Sequence, residues 1–385
     1  MNSGKYVYSQ LIEFLPQRVF DGFVTKYSGN KYIRHFTCWN QLLCMVFGQL
    51  TSRASLRDLI VAIEAHSRKT YHLGFGKSVT RSNLAKANEN RSSKIFEEYA
   101  YHLIAVARRK RANDNFVIKG KVYAFDSSTI DLCLNVFWWA KFRKAKGGIK
   151  LHTLYDITTQ IPAFIHITTA KVNDVNAMDV IPYESEAYYI FDRGYVDYTR
   201  LHKIANHSAY FVIRAKSNLN FDRMYSMKVD KTTGVECDQI GKLAGFYVSK
   251  QYPDKLRRVK FYDKETKRTF VFLTNNFELS AEQIALLYKN RWQVELFFKW
   301  IKQHLKIKCF WGTSENAVRI QIYSAIIAYC LVAIVGYDLK IERSTYEILQ
   351  VLGISLLDKT PVNELFTNID YNDVNELDYN QLLFS

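Results

Sequence analysis

Apolar residues recur at helical spacing through the first hundred positions of the chain. In Ser9–Phe20, Leu11, Ile12, Leu15 and Val19 fall on one face, interrupted by Pro16. Asn40–Leu50 is apolar around Leu42, Leu43, Val46 and Phe47, and Ser55–Ala65 repeats the pattern with Leu56, Leu59, Ile60 and Ile63. A glycine break, His72-Leu-Gly-Phe-Gly-Lys77, precedes the polar stretch Ser78–Lys94, which carries Arg81, Lys86, Arg91 and Lys94. Two helices, a turn and a basic helix suit either a DNA-binding arrangement or the solvated face of a helical bundle. The glycine pair is too short for a nucleotide-binding fingerprint.

From residue 118 the period shortens toward two. Lys121-Val-Tyr-Ala-Phe-Asp126 reads as a strand ending in a carboxylate, and Ile149–Ile157 with Ile161–Thr169 reads as a hairpin across Thr-Thr-Gln. Tyr188-Tyr-Ile-Phe-Asp192 is a second strand ending in Asp, followed by a helical Tyr198–Asn206 and a strand Ala209–Arg214. Residues 216–268 are more polar, with short β-like runs such as Phe246–Ser249 and Val259–Tyr262. Thr269–Thr274 returns to strand. Ser280 with Gln283 forms a capping box that opens a long helix reaching Lys306. The pattern is that of an α/β core carrying a β-rich insertion, preceded by a helical N-terminal domain.

Composition narrows the class. The 385 residues are 48% hydrophobic and 15% aromatic, enough for a large core, which excludes global disorder. Lys and Arg outnumber Asp and Glu by 53 to 37, a net charge of +16 that favours a polyanionic partner, nucleic acid before an acidic membrane surface. Residues 341–385 are acidic, so the excess belongs to what precedes them. The N-terminus has no apolar signal region, and Ile322–Val335 is shorter than a bilayer span, which predicts a buried helix and a cytoplasmic protein with no membrane partner. The six cysteines show no metal-finger spacing and read as reduced core residues, with Cys309 inert.

Asp126 and Asp192 each close an apolar strand, at the edge of an open sheet where sites form. A third carboxylate, Glu295, lies on a helix where Tyr288, Arg291, Glu295, Lys299 and Lys302 share one face. Leu286, Leu287, Val294, Phe297, Trp300, Ile301 and Leu305 line the other. That face is either a solvated one with a Glu295–Lys299 ion pair or an acid among cations suited to metal-assisted phosphoryl transfer. Three neighbouring carboxylates repel unless divalent cations neutralise them, and Mg²⁺, hard and oxygen-liganded, is the expected ion.

The spacing Tyr288-x2-Arg291-x3-Glu295-x6-Lys302 resembles the signature around the catalytic Glu of one group of bacterial insertion-sequence DDE transposases. Phe125-Asp126-Ser-Ser-Thr is similar to that family's first Asp block and Phe191-Asp192-Arg-Gly-Tyr195 to its second. Gly148-Ile-Lys150-Leu-His152 is similar to the strand after the first block. The resemblance implies an RNase H-like catalytic core over 118–310 with a β insertion near 216–268, a helical DNA-binding domain over 1–110, and a C-terminal helical region with an acidic tail over 311–385. It implies that Asp126, Asp192 and Glu295 are the catalytic residues and hold two Mg²⁺ ions, with Mn²⁺ as a substitute. It also implies that Tyr288, Arg291 and Lys302 contact phosphates at the DNA end; Lys299 is a weaker candidate for the same role. The implied activity is cleavage at the terminal inverted repeats of an insertion sequence and strand transfer into target DNA, by a homodimer bridging two ends of double-stranded DNA in the bacterial nucleoid. The flipped-base tryptophan of some relatives has no counterpart in the insertion, where the aromatics include Phe246, Tyr247, Tyr252 and Tyr262.

Other residues admit more than one role. His152 could contact a phosphate or a metal, or be a strand histidine with its bonds satisfied. Trp138 and Trp139 could stack on bases or be buried. Ser127, Ser128 and Thr129 lack a nucleophile elbow, and helix or turn capping accounts for them. Two further functions stay open: an RNase H-like endonuclease without strand transfer, and a non-catalytic DNA-binding repressor.

Overall fold

The computed structural model describes residues 4–76, 79–112, 118–133, 135–143, 146–304 and 310–367. Among these residues six α-helices come first: α1 (Val7–Ile12), α2 (Gln17–Lys26), α3 (Cys38–Leu50), α4 (Leu56–Ala65), α5 (Arg81–Asn90) and α6 (Ser93–Arg111). Pro16 stands at the N-cap of α2, where its missing N–H costs nothing. Thr37 and Ser55 cap α3 and α4 through their hydroxyls. The glycine break is a turn with Gly74 and Gly76 at positive φ.

Among the described residues, ten strands form one sheet: β1 (Val122–Leu132), β2 (Lys141–Arg143), β3 (Lys146–Asp156), β4 (Ile161–Thr169), β5 (Tyr188–Phe191), β6 (Tyr210–Arg214), β7 (Phe221–Ser226), β8 (Val235–Leu243), β9 (Leu256–Asp263) and β10 (Arg268–Thr274). Its central order is β4-β3-β1-β5-β6, antiparallel through β4, β3 and β1 and parallel from β1 to β6. That is the RNase H-like arrangement. The insertion extends the same sheet beyond β6 through β10, β9, β8 and β7, all antiparallel. α7 (Tyr198–Asn206) follows the second Asp block, and α8 (Phe246–Gln251) lies in the insertion. Phe246–Ser249 is therefore helix rather than the expected strand, with Phe246 and Tyr247 exposed on it.

Period-two alternation divides the sheet residues between two cores. Ala124, Ile190 and Val212 face the core built with α9 (Ala281–Lys289), α10 (Trp292–His304) and α11 (Glu315–Asp338). Phe125, Phe191 and Ile213 face the core containing Leu201 and Ile204 of α7. The expected single helix after Ser280 is two: the chain breaks at Asn290–Arg291, where Arg291 N–H bonds Tyr288 O and Val294 N–H bonds Arg291 O in tighter three-residue turns. Its expected end at Lys306, with Leu305 and Cys309, lies outside the described residues.

α11 is long and apolar enough to cross a membrane, yet 94% of its apolar window is buried, as a core helix. It packs against α3 and α6 of the N-terminal helices, and its Tyr329 hydroxyl reaches Gln160 O at the sheet. α12 (Thr345–Ser355) packs beside it. Residues 310–367 thus complete the N-terminal bundle and tie it to the sheet; the end of the expected acidic tail, 368–385, lies outside the described residues. Cys38, Cys44 and Cys330 are buried and unpaired; Cys133, against expectation, is exposed, and Cys237 is half-buried.

Candidate active site

The parallel pairing of β1 with β5 ends at Phe125 opposite Phe191. Asp126 and Asp192 are the next residues on each strand, and alternation turns both toward the face covered by α9 and α10. Asp192 ends its strand as expected. Asp126 does not: β1 runs on to Leu132, paired only with β3, because this hairpin projects past the shorter β5. Ser127, Ser128 and Thr129 are thus strand residues and not caps.

The helices bring the remaining residues to these carboxylates. Tyr288, at the end of α9, donates its hydroxyl to Asp192 Oδ1 at 3.0 Å. Arg291, in the break between the helices, donates through Nη1 to Asp126 Oδ2 at 3.0 Å and through Nη2 to Glu295 Oε1 at 2.6 Å. Glu295 therefore pairs with Arg291 and not with Lys299. Ser127 N–H gives Asp126 Oδ1 a further bond at 2.8 Å. Lys302 Nζ donates to Thr129 O at 2.8 Å, fastening α10 along the projecting part of β1. Lys299 is exposed. Val294, Phe297, Trp300 and Ile301 are buried on the opposite side, so the helix cannot roll without exposing them.

Burial raises the Asp126 carboxyl above its ordinary pKa, and Glu295 and Asp192 push the same way, while the Ser127 N–H and Arg291 pull it down. Burial works against the charge of Arg291 too, but Tyr288, Asp126 and Glu295 outweigh it and hold the guanidinium firmly charged. Tyr288 is pushed up to about 12 by burial and by Asp192, so it stays a neutral donor. Arg291 Nε is buried without a hydrogen-bond partner.

Among the described residues, no three His, Cys, Asp or Glu side chains converge closely enough to grip an ion. Arg291 occupies the space between Asp126 and Glu295. The donor chemistry still suits a hard divalent cation: carboxylate oxygens only, one of them resisting its charge because of burial and two acidic neighbours.

The other candidates resolve differently. His152 is fully buried in β3 and bonds Thr168 Oγ1 at 2.9 Å, a strand histidine. Trp138 is 79% exposed, whereas Trp139 is half-buried and donates to Thr313 O. Of the four cations along 78–94, Arg81 and Lys86 are exposed, Lys94 pairs with Glu97, and Arg91 is buried, donating to Phe36 O, Thr37 O and Gln41. Sequence reasoning missed Asp174, which accepts from Ser127 beside Asp126. Its signal was faint: an Asp after Asn173 is also an ordinary turn former.

Residues 118–331 match a family model described as "Transposase DDE domain", and residues 3–76 match one described as "Domain of unknown function (DUF4372)". A protein of Sinorhizobium fredii named as a transposase is 39% identical over 275 residues, covering 69% of this chain and 74% of that one. A protein of Geobacillus stearothermophilus, named as a transposase for an insertion sequence element, is 33% identical over 209 residues, 54% of each chain. A solved piggyBac transposase synaptic complex with hairpin DNA covers 96% of this chain and 86% of its own, at 11% identity and a TM-score of 0.47, too low to carry weight. The family match spans more than half of the chain and contains every element of the carboxylate site: this chain belongs to the DDE transposases.

Proposed function

We propose that the chain binds the ends of an insertion sequence and catalyses metal-dependent cleavage and strand transfer, with Asp126, Asp192 and Glu295 as its catalytic residues. The observation that carries this is the pairing of Phe125 with Phe191, which leaves two carboxylates side by side on parallel strands, with Glu295 joined to Asp126 through Arg291. The three acids would hold Mg²⁺, or Mn²⁺ in its place; two such ions would supply charge neutralisation at the phosphate and a more acidic attacking hydroxyl. Hydrolysis breaks one P–O bond at the element end and frees a 3′-hydroxyl. That hydroxyl then attacks a phosphodiester of target DNA, forming one P–O bond for the one broken.

The chain's own residues orient these steps. Tyr288 holds Asp192 as a neutral donor. Arg291 bonds both Asp126 and Glu295 and balances their charge, a role that a cation held by these carboxylates would share. The Nη atoms of the guanidinium would also offer charge-assisted hydrogen bonds to a DNA phosphate brought to the carboxylates. Lys302 and Lys299 continue the cationic line along α10. The exposed cations of the N-terminal bundle suit the backbone of double-stranded terminal repeats. A homodimer bridging two ends, acting at the nucleoid, completes the reading.

The test is incubation of full-length protein with Mg²⁺ and DNA carrying the element's terminal inverted repeats, then of pre-cut ends with target DNA. Nicked and joined products are expected. Asp126→Asn, Asp192→Asn and Glu295→Gln should each lower cleavage about 100-fold or more while binding ends normally in EDTA. Cleavage without joining would reassign the chain as an endonuclease. End binding with neither product would make it a repressor. Full cleavage by either Asp variant would overturn the site.

A further inference from the structure

Asp126 poses a structural problem that the three acids do not solve. It lies one residue beyond the last β1–β5 pair, so the strand at that point is held by β3 on one side and, among the described residues, has no ladder on the other. A carboxylate that must be aimed to within a fraction of an ångström needs a second anchor. The opposite face of β1 supplies one. Ser127, adjacent to Asp126, donates its hydroxyl to Asp174 Oδ1 at 2.7 Å. Lys150 Nζ lies 3.0 Å from the same oxygen and donates to Val172 O at 2.8 Å. Lys150 is only 9% exposed, a nearly buried ammonium fixed by one carboxylate and one carbonyl. Asp174 itself begins the short helical turn Asp174–Val180, whose Ala177 and Met178 are buried in the core on that face.

We infer that Asp174, clamped by Lys150, is a positioning residue: through Ser127 it replaces the missing strand beside Asp126 and aims that carboxylate. Ser127 is the coupling element, because its hydroxyl binds Asp174 while its N–H binds Asp126. Asp174 bonds Ser127 and Lys150, not Glu295 or Arg291, and takes no part in the reaction itself. Loosening it frees the Asp126 carboxylate to swing while the pairing of Asp126 and Ser127 with Thr153 and His152 holds β1 in the sheet, so the fold survives and the aim does not.

The inference rests on Asp126 being a metal ligand. The experiment therefore measures Mn²⁺ binding to the full-length protein without DNA, by electron paramagnetic resonance, for wild type, Asp126→Asn, Ser127→Ala, Asp174→Asn and Ser127→Thr. Thermal unfolding in EDTA and Mg²⁺ titration of cleavage accompany it. Ser127→Ala and Asp174→Asn are expected to weaken Mn²⁺ binding about 10-fold and to raise the Mg²⁺ needed for half-maximal cleavage by a similar factor. Ser127→Thr, which keeps the hydroxyl, should bind as wild type does. Unaltered Mn²⁺ affinity in both Ser127→Ala and Asp174→Asn, with loss in Asp126→Asn, overturns the inference alone. Unaltered affinity in Asp126→Asn overturns the catalytic assignment and the inference with it. A purely structural role for Asp174 would lower the unfolding temperature of both variants with Mn²⁺ affinity unchanged, and that also overturns it.

Discussion

Arg291 is the residue on which the site's charge balance turns. Its two Nη atoms neutralise Asp126 and Glu295 at once, and burial makes Asp126, though not the exposed Glu295, dependent on it. Removing the partner of a buried charge costs more than the pair is worth, since Asp126 stays desolvated. Arg291→Ala should therefore lower the metal-free unfolding midpoint by several degrees, and Mn²⁺ should recover more of that loss than it adds to wild type. An equal Mn²⁺ shift in both proteins would mean that the ion and the guanidinium do not compete for the same carboxylates. His152 gives a second prediction. Burial, more than any neighbour, holds its pKa down at about 4, against 6.5 for a free histidine. Between those values the unfolded chain takes up a proton that native His152 refuses, so stability falls as pH drops through the window. The cost reaches about 3 kcal/mol at its lower end. Urea midpoints at pH 7 and pH 4.5 should differ less in His152→Gln than in wild type.

At the scale of elements, Arg257 pins the insertion to the helix that leads to the site. It is 2% exposed, donates to both oxygens of Asp238 across β8 and β9, and reaches Leu279 O in the turn ahead of α9. Arg257→Ala leaves a buried Asp238 unpaired and an uncapped turn, a loss of about 3–5 kcal/mol. Hydrogen exchange should show α9 loosening together with β8 and β9; protection lost from β8 and β9 alone would show that the turn does not depend on the arginine. Most elements were legible because burial on one face imposes a period: β4 falls where alternation put it, and the Ser280–Gln283 box opens α9. The exceptions have physical causes. β1 passes Asp126 because a projecting hairpin needs no apolar run, so Ser-Ser-Thr looked like an ending. The break at Asn290 carries neither Gly nor Pro, and the Tyr288-to-Lys302 spacing is what a continuous helix would also give. α8 was misread because aromatic residues favour strands wherever packing does not decide. Asp174 and Lys150 meet through tertiary structure, which leaves no periodic trace.

Across the whole molecule, net charge alone does not say which cations face a partner. The chain carries +16 with an acidic C-terminal stretch, and its N-terminal helices are strongly basic. Some of that charge is structural. Arg91 lies buried between the end of α5 and the start of α3, bonded to Phe36 O, Thr37 O and Gln41, beside the Asn316 amide that joins α11 to the same corner. Arg81 and Lys86 stand exposed on α5. The two groups should separate in a salt titration of DNA-end binding, where each phosphate neutralised adds about 0.9 to the slope of log K against log salt. If the bundle grips DNA through α5, the double variant Arg81→Ala, Lys86→Ala should lower that slope by about 1 to 2 with thermal stability unchanged. Arg91→Ala should do the reverse, keeping the slope while lowering the unfolding temperature, because its buried guanidinium satisfies the Phe36 and Thr37 carbonyls. An unchanged slope in the double variant would move the DNA-facing charge off α5 and onto the cationic line of α10, where Lys299→Ala is the next substitution to measure.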